Sequence, residues 1–334
     1  MRAKKDLFLI FSRIVVGVLF TLSGLIKVND VRGFAYKLEE YFEVFYKHWG
    51  IPFHEIFGPW SVAIAGVIAV FETGLALFLL IGYARRFTAW SLLLMILFFT
   101  FLTAYSAITK AVSDCGCFGD VIKFTPWQSF AKDVVLLGLI GYIFLKREEL
   151  TPWLPEAFLP WVGWGSWALL AGLTLYFYLY LPALDFLPYY EGRDLRRALE
   201  PGPSGVPAIT DYVSTRYSSC QVDELTGKAL VVVIPRLEKV EAEQIARVRK
   251  LLEGLPPEVK VVGLTASPKE VRERWPKEHG LPQICFAAQD QTVLKAILRA
   301  SAGALYLEGG IIRKKWSWRR LPKGADYPTW SASS

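Results

Sequence analysis

Two cysteines separated by a single glycine are the residues of this sequence best suited to chemistry. Cys115 and Cys117 lie in the stretch DCGCFGD, residues 114–120. A pair with one intervening residue can close a small, strained disulfide, which is easier to reduce than a relaxed one. Gly116 and Gly119 allow the chain to turn tightly around the sulfur atoms. The stretch therefore predicts thiol–disulfide exchange with Cys115 and Cys117 as the catalytic pair.

Two other interpretations of this stretch stay open. Asp114 and Asp120 oppose formation of a thiolate, and only Lys110 and Lys123 nearby favour it. The cysteines are then a structural disulfide or two inert thiols, or the stretch is a docking loop. A zinc site is not indicated, because two cysteines without a second pair or a nearby histidine do not supply four ligands.

Glu72 and Arg13 are further candidates for a catalytic role, because both fall within long apolar stretches. An unpaired carboxylate in hydrocarbon is costly, so we expect Glu72 to be protonated or paired. Counted from the ends of their stretches, the two residues differ in depth by roughly 6 Å at 1.5 Å per residue, within reach of an arginine. Lys27 lies at the opposite end of its stretch and is expected to be a poorer partner. The predicted pair either fixes helix packing or takes part in proton or quinone handling.

These candidates belong to a chain that is too apolar for a purely soluble protein. Of its 334 residues, 53 % are apolar, 15 % aromatic and only 21 % charged, and nearly all the long uncharged runs lie before about Leu184. This pattern excludes a purely cytosolic enzyme, a disordered chain and a fibrous one. The net charge of +7 is spread without a basic block and gives no case for nucleic acid as a partner.

Five segments are long and apolar enough to cross a lipid bilayer, which takes about 20 residues. The predicted spans are Leu7–Ile26, Pro59–Ile81, Phe87–Ile108, Trp127–Leu145 and Trp161 to about Leu184.

The basic residues beside these spans predict their orientation. Three groups of basic residues fall on one side of the membrane: one group before the first span, one between the second and third spans, and one after the fourth. The positive-inside rule assigns that side to the cytoplasm. The amino terminus is then inside, and residues 27–58, residues 109–126 and everything after the fifth span are outside. An oxidising outer face suits thiol–disulfide exchange.

An amphipathic helix is predicted in the first outer segment. Apolar residues recur at helical spacing over 34–49, while charged residues occupy the other faces. We expect this helix on the outer membrane surface or as a cap on the bundle, although an ordinary partly buried loop helix would show the same pattern.

After Pro188 the sequence changes to a soluble α/β alternation. The predicted elements are strands Ala229–Pro235 and Val259–Thr265, helices Val240–Leu255, Lys269–His279 and Thr292–Ala300, and a hairpin of Ala304–Glu308 with Ile311–Trp318. The apolar segment Ile284–Ala288 has no clear type. Two parallel strand units followed by a hairpin is the order of a thioredoxin-like domain.

The expected fold is a mainly α-helical integral membrane bundle followed by an α/β thioredoxin-like domain. Its predicted parts are a four-helix bundle over 1–150, a fifth span over 151–187, a linker over 188–210, the α/β domain over 211–322 and a tail over 323–334.

The first part of the chain resembles the DoxX family, and within it the branch of the methylamine-utilisation protein MauE. The resemblance covers roughly residues 7–147. It rests on CGCFGD before a span that opens with TPWQ, on Arg13, Ser23-Gly24 and Lys27 in the first span, and on Glu72 followed by Gly74 in the second. The added span and tail are similar to longer DoxX proteins of Bacteroidetes-type bacteria.

This resemblance implies a multi-pass inner-membrane protein with a periplasmic domain. Its chemistry would be tied to thiol, sulfur or quinone redox reactions, or to maturation of partners that contain disulfides. A membrane quinone is the cofactor that the resemblance implies, and no motif of the sequence specifies one. The implied partners are the lipid bilayer and a periplasmic client or a membrane-complex subunit.

The tail departs from a working thioredoxin, which carries Cys-x-x-Cys after the strand that corresponds to Ala229–Pro235. Here those positions read Arg-Leu-Glu-Lys, residues 236–239. Cys220 and Cys285 lie elsewhere. The tail is therefore predicted to be a redox-inert binding or structural module.

Two hypotheses follow for the whole chain. In the first, the membrane bundle uses Cys115 and Cys117 for thiol–disulfide or quinone-linked redox chemistry, with Glu72 and Arg13 lining its interior. In the alternative, the protein is a non-enzymatic assembly factor or complex subunit whose redox-dead tail binds a client. A transporter is less favoured, because no inverted repeat is evident.

Overall fold

The computed structural model describes residues 6–112, 116, 118–119, 121–122, 124–202, 205–327 and 329. The chain divides into two compact units, Met1–Tyr178 and Leu179–Ser334. The first unit is helical, and the second is built around a five-stranded mixed sheet.

The helices of the first unit confirm that the five predicted segments are long apolar helices. Their bounds are α1 (Leu7–Asn29), α2 (Val31–Trp49), α3 (Phe53–Phe57), α4 (Ser61–Ile81), α5 (Arg85–Thr109), α6 (Pro126–Leu145) and α7 (Leu159–Leu179). Within the described residues, α1, α4, α5, α6 and α7 are the five helices long and apolar enough to cross a membrane. The largest differences are at two carboxyl ends, since α1 continues three residues past Ile26 and α7 ends at Leu179, before Leu184; the other ends shift by two residues or fewer.

Local capping explains where these helices begin and end. The Asp6 carboxylate accepts hydrogen bonds from the first backbone N–H groups of α1 and from the Tyr142 hydroxyl of α6 at 2.6 Å. The Tyr142 hydroxyl, followed by the N–H of Leu9, lowers the pKa of Asp6. Thr125 and Gln128 form a capping box that starts α6.

Helices α1 and α4 pack antiparallel at close range. A Cβ on Gly24 would lie 2.1 Å from Oγ1 of Thr73, and one on Gly17 would lie 2.4 Å from the Leu80 side chain. The two contacts fix the register of the helix pair. Gly17 lies seven residues before Gly24 in α1, and its contact Leu80 lies seven residues after Thr73 in α4, as expected for antiparallel helices. Helices α5 and α6 complete an apolar core with this pair.

Exposed tryptophans mark both ends of the bundle. Trp49, Trp60 and Trp127 lie at the end where α4 and α6 begin, and Trp90, Trp153 and Trp161 lie at the end where α1 begins. Indole rings favour the interface between lipid and water, so these two belts suit a helical unit that crosses a bilayer.

The predicted amphipathic helix of the first loop is confirmed as α2. Its apolar face packs on the bundle: Phe34 and Leu38 cluster with Ala65 of α4, and Tyr41 and Phe45 cluster with Leu102 of α5. These contacts place α2 against the end of the bundle at which α1 finishes.

In the second unit the sheet order is β3-β2-β1-β4-β5. The strands are β1 (Lys228–Val233), β2 (Val259–Thr265), β3 (Phe286–Ala288), β4 (Gly303–Glu308) and β5 (Ile311–Ser317). Strand β1 pairs parallel with β2 and antiparallel with β4, β2 pairs parallel with β3, and β4 pairs antiparallel with β5. The segment Ile284–Ala288, of unclear type in the sequence, contributes the edge strand β3.

Helices cover both faces of the sheet, which gives the second unit two apolar clusters. The helices are α8 (Leu195–Leu199), α9 (Ala242–Leu252), α10 (Lys269–Glu278) and α11 (Gln291–Ile297). Residues of α8 and α11 pack in one cluster, and residues of α9 and α10 pack in the other. Each predicted strand and helix is present, with ends that shift by a few residues.

A disulfide joins Cys220 to Cys285 in the second unit, across 65 residues of sequence. It ties the segment before β1 to the residue that precedes β3. This pairing was not predicted, because nothing in the local sequence of either cysteine links it to the other.

Candidate functional site

A buried ion pair between Lys27 of α1 and Glu72 of α4 is the centre of the candidate site. The Lys27 Nζ atom lies 3.1 and 3.0 Å from the two carboxylate oxygens of Glu72 and donates a hydrogen bond to the Ser23 hydroxyl at 2.7 Å. The lysine and glutamate side chains are only 2 % and 3 % exposed. The predicted burial and pairing of Glu72 are thus confirmed, with a different partner.

The predicted pairing of Glu72 with Arg13 is wrong. Arg13 donates hydrogen bonds to three backbone carbonyls, those of Leu79 at 2.9 Å, Leu80 at 2.8 Å and Thr151 at 2.8 Å. Its guanidinium also lies 4.1 Å from the centre of the Trp153 ring. The first two carbonyls belong to the last turn of α4, where an arginine complements unpaired acceptors and the negative end of the helix dipole. Arg13 therefore fastens chain segments at the end of the bundle away from Glu72.

The ends of α1 and α4 are not level, which is why the expected pairing fails. Because Gly24 lies against Thr73, the next turn of α1 brings Lys27 beside Glu72. The same register places Arg13 beyond the last turn of α4. The first turns of α1 therefore extend beyond the carboxyl end of α4. Counting residues from the helix ends assumes that those ends lie at the same depth, so the count could not show this offset.

A second buried carboxylate, Asp133 of α6, was not among the residues predicted for the site. Its side chain is 2 % exposed, accepts a hydrogen bond from the Thr103 hydroxyl at 3.0 Å and pairs with Lys132. Two adjacent charged residues inside the predicted span Trp127–Leu145 were the available signal, since ionisable residues within spans are rare and functional by default.

The two carboxylates line one small cavity. Its walls include Lys27, Glu72, Lys132 and Asp133 together with apolar side chains of α1, α5 and α6. The cavity has about 20 Å³ of space accessible to water, enough for one water molecule. A quinone ring does not fit in it. The arrangement brings two carboxylates and two ammonium groups around a site that can hold a bridging water.

Phe118, from the stretch that contains the cysteine pair, forms part of the cavity wall. Its side chain is 8 % exposed, its ring contacts Phe124 edge-on with centres 5.9 Å apart, and Nζ of Lys132 lies 5.9 Å from its ring centre. Gly119 donates its backbone N–H to the carbonyl of Gly116 at 3.1 Å, which closes a tight turn. The turn therefore brings an aromatic side chain of the DCGCFGD stretch onto the polar cavity.

Cys115 and Cys117 themselves lie outside the described residues. Gly116 and Phe118 are described, and each is covalently bonded to Cys117. Among the residues that the structure describes, no group of three or more His, Cys, Asp or Glu could hold a metal ion.

In the second unit, the positions after β1 carry no cysteine. Residues 237–239 form a single turn of 3₁₀-helix, in which the N–H of Leu237 donates to the Ser267 hydroxyl at 2.9 Å and that hydroxyl donates to Glu238 at 2.8 Å. These contacts connect the turn to the end of β2.

Comparison with known proteins finds a matching family and a curated relative. Residues 5–146 match the family described as methylamine utilisation protein MauE. Protein TlpB of Flavobacterium psychrophilum is 25 % identical over 140 residues, which is 41 % of this chain and 36 % of that protein. The chain thus matches little more than a third of this curated relative. No solved structure matches the chain.

Proposed function

We propose that the helical unit is a membrane thiol–disulfide oxidoreductase that uses Cys115 and Cys117 as its reactive pair. The observation that carries this proposal is the cavity with the buried Lys27–Glu72 pair and Asp133, whose wall includes Phe118, the residue bonded to Cys117. Ionisable groups inside a membrane are costly and persist where they serve a function. The match to the MauE family over residues 5–146 supports the same class of function.

The proposed step is a complete exchange of electrons and protons with a partner protein. The thiolate of one loop cysteine attacks a disulfide of the partner, forms a mixed disulfide and releases one partner sulfur as a thiolate. The second loop cysteine then attacks the mixed disulfide, which closes the Cys115–Cys117 bond and leaves the partner with two thiols. Two electrons and two protons pass from the loop to the partner, and the reverse sequence reduces the loop.

In this proposal the buried carboxylates accept and donate the protons of the exchange. The loop binds two protons when its disulfide is reduced and releases two when the disulfide forms. A thiol must lose its proton to a base before it can attack, so the exchange needs a proton acceptor. Glu72 and Asp133 line the same cavity, which has room for one water molecule, and we assign them the role of accepting and returning protons at the side of the bundle that carries Phe118.

When the reverse sequence has reduced the loop at the expense of a partner dithiol, a membrane quinone is the proposed acceptor of the loop's two electrons and two protons. The quinone would approach the loop from outside the cavity.

We also propose an orientation for the chain in a bacterial inner membrane. The amino terminus lies in the cytoplasm, and the cysteine loop and the second unit lie in the periplasm. The basic residues beside the spans favour this orientation, and so does the Cys220–Cys285 disulfide, because such bonds persist in oxidising compartments.

The second unit, in this proposal, is a thioredoxin-like module that binds the partner without redox chemistry of its own. Its sheet order and terminal hairpin agree with that fold, and the turn after β1 has leucine, glutamate and lysine where a catalytic domain has cysteines. A relation of the bundle to the DoxX family is part of the same proposal.

Trapping the loop cysteines in living cells tests the function. Cys117→Ser should leave Cys115 in a mixed disulfide with a recurrent protein partner, and rapid alkylation of wild-type cells should show both thiol and disulfide forms of the loop. Glu72→Gln and Asp133→Asn should each slow reoxidation of a reduced loop, whereas Glu149→Gln, at an exposed ion pair, serves as the matched control. A loop locked in one state under every growth condition, with functional serine variants, would leave the assembly-factor hypothesis as the better account.

A further inference from the structure

An arginine of the second unit contacts the residue that directly follows α7. The second unit begins at Leu179, the last residue of α7, so Tyr180 is covalently bonded to the end of that helix. The guanidinium of Arg320 lies 4.1 Å from the centre of the Tyr180 ring. Helix α7 is long and apolar enough to cross a membrane. If it crosses, Arg320 lies at the level of the lipid headgroups, because neighbouring Cα atoms are only about 3.8 Å apart.

The turn that carries this arginine is held in place by its neighbours. Residues Trp318–Arg320 form a short 3₁₀-helix after β5. Arg247 of α9 donates a hydrogen bond to the backbone carbonyl of Arg319 at 2.9 Å. The guanidinium groups of Arg247 and Arg319 lie 5.5 and 4.2 Å from the centre of the Trp318 ring. Trp318 is buried and Arg320 is exposed, so a fixed backbone presents the Arg320 side chain at the surface.

The charge at this turn is positive. Arg319 and Arg320 are adjacent, and the exposed Lys323 follows three residues later. Arg247 has its own partner in Glu243, at 3.0 Å. Within the part of the chain that the structure describes, no acidic side chain forms an ion pair with Arg319. The turn therefore suits an anionic partner.

Apolar side chains are exposed in the segment that leaves α7. Leu184 and Phe186 follow Tyr180 by four and six residues and are 62 % and 44 % exposed. Asp185 between them would repel an anionic surface, but its carboxylate accepts a hydrogen bond from Nζ of Lys315 at 2.6 Å. Exposed apolar side chains together with cations are typical of a protein surface that lies on a membrane.

From the contact between Arg320 and Tyr180 we infer that the second unit binds the headgroups of anionic phospholipids. The binding residues form a membrane-proximal surface that comprises Tyr180, Leu184, Phe186, Arg319 and Arg320. The arginines pair with lipid phosphate groups, to which a guanidinium can donate two parallel hydrogen bonds. Leu184 and Phe186 enter the apolar region beneath the headgroups.

This surface fits a lipid better than an acidic peptide, because Tyr180 is bonded to a helix that is long and apolar enough to cross the bilayer. A lipid headgroup is then within reach of the arginines without any further protein. The inference goes beyond the proposed function and holds whichever side of the membrane carries the second unit.

Hydrogen exchange of the full-length chain in lipid nanodiscs tests this inference. Discs of phosphatidylcholine are compared, at low salt, with discs in which about 30 % of the lipid is anionic phosphatidylglycerol. Mass spectrometry follows the exchange of backbone N–H groups in two segments, residues 180–187 and residues 316–323.

Two double variants that lose the same charge are compared in both kinds of disc. The test variant carries Arg319→Gln and Arg320→Gln. The matched control carries Lys269→Gln and Arg274→Gln on α10, where the two side chains are 72 % and 73 % exposed.

We expect both segments to exchange about tenfold more slowly in the discs that contain phosphatidylglycerol, because each arginine near an anionic surface strengthens binding about fivefold. Arg319→Gln alone should reduce this difference about fivefold, and the double arginine variant should abolish it. The control variant should keep the difference, and about 1 M salt should abolish it by screening.

Equal exchange of the wild-type chain in the two kinds of disc would overturn the inference, and so would a difference that persists in the double arginine variant. If that variant does not accumulate, an unchanged difference in Arg319→Gln would overturn it in the same way.

A soluble poly-glutamate peptide tests the other class of partner. It is added to the wild-type chain in phosphatidylcholine discs. Protection of the two segments by phosphatidylglycerol and not by the peptide would support the lipid. Protection by the peptide and not by phosphatidylglycerol would overturn the inference and make an acidic peptide the partner.

Discussion

At the scale of single residues, the pairing of Lys27 with Glu72 changes what mutation of the bundle should do. Removing one partner of a buried ion pair leaves the other charge unpaired, which costs about 3 to 5 kcal/mol. Both side chains are almost fully buried, so the usual discount for exposure to water does not apply.

We predict that Lys27 and Glu72 are energetically coupled and that Arg13 and Glu72 are not. Lys27→Met alone should destabilise the protein strongly, and Glu72→Gln should recover part of that loss. The double-mutant cycle should give a coupling energy of about 1 to 3 kcal/mol. Unfolding in mixed micelles measures it.

The control is the cycle of Arg13→Gln with Glu72→Gln, in which the effects should add to within about 0.5 kcal/mol. Additive effects for the Lys27 cycle, or coupling in the Arg13 cycle, would contradict the register of α1 and α4.

The sequence identified Glu72 and Arg13 as buried because a charge within an apolar run is visible without any structure. Their partners were not predictable, because these depend on how far one helix slides along another. Asp133 could have been found by the same reasoning as Glu72, since it also lies inside an apolar span.

At the scale of elements, the contact between α1 and α4 depends on the absence of a side chain at Gly24. A Cβ there would meet both Oγ1 of Thr73 at 2.1 Å and its backbone nitrogen at 3.0 Å. Rotation of a side chain could relieve the first contact and not the second.

Gly24→Ala should therefore push the two helices apart and destabilise the bundle by about 1 to 3 kcal/mol. Gly138→Ala on α6 is the matched control, because no atom lies within 4 Å of the added Cβ. That change should be neutral or stabilising by roughly 0.5 to 1 kcal/mol, since alanine is the better helix former. Equal effects of the two substitutions on unfolding in mixed micelles would be inconsistent with close packing at Gly24.

The disulfide of the second unit gives another prediction at this scale. Closing a loop of 65 residues restricts the unfolded chain, which the chain-entropy account values at about 4 kcal/mol. Replacing Cys220 and Cys285 with serine should lower the stability of the sheet, seen as faster hydrogen exchange in β1 and β2. The redox state of the cysteine loop in cells should stay unchanged, and a lost redox cycle at normal protein levels would make the second unit a redox partner.

Most elements of the fold could be predicted from the sequence. The length of an uninterrupted apolar segment identifies a membrane-spanning helix, and the spacing of apolar residues distinguishes strands from helices in the second unit. The ends of α1 and α7 could not, since apolar residues continue beyond one helix end and polar residues lie within the other. The Cys220–Cys285 disulfide could not be predicted either, because two cysteines 65 residues apart are brought together only when the sheet folds.

At the scale of the whole molecule, the described residues include five helices long and apolar enough to cross a membrane. If all five cross it, as we propose, the odd number of crossings puts the amino terminus and the second unit on opposite sides of the bilayer. Three of these helices precede the cysteine loop, so the loop and the second unit would share a side.

A membrane-impermeant thiol reagent, applied to intact spheroplasts after reduction, should therefore label both the loop and the second unit. Variants that keep only one pair of cysteines report each part separately. Arg86→Cys in a cysteine-free chain is the control for the opposite side, because the Arg86 side chain is 79 % exposed in the first turn of α5. It should react only after the membrane is permeabilised, and labelling of the loop under that condition alone would reverse the orientation.

Arg13 attaches one end of α1 to its neighbours through hydrogen bonds to backbone carbonyls. Its three hydrogen bonds hold α1, the last turn of α4 and the segment at Thr151 at one end. Lys27 lies farther along the same helix by roughly 21 Å, at 1.5 Å per residue. Between these two positions, Gly17 and Gly24 hold α1 closely against α4. The helix is therefore fastened at both ends, to backbone carbonyls at one end and to a buried carboxylate at the other.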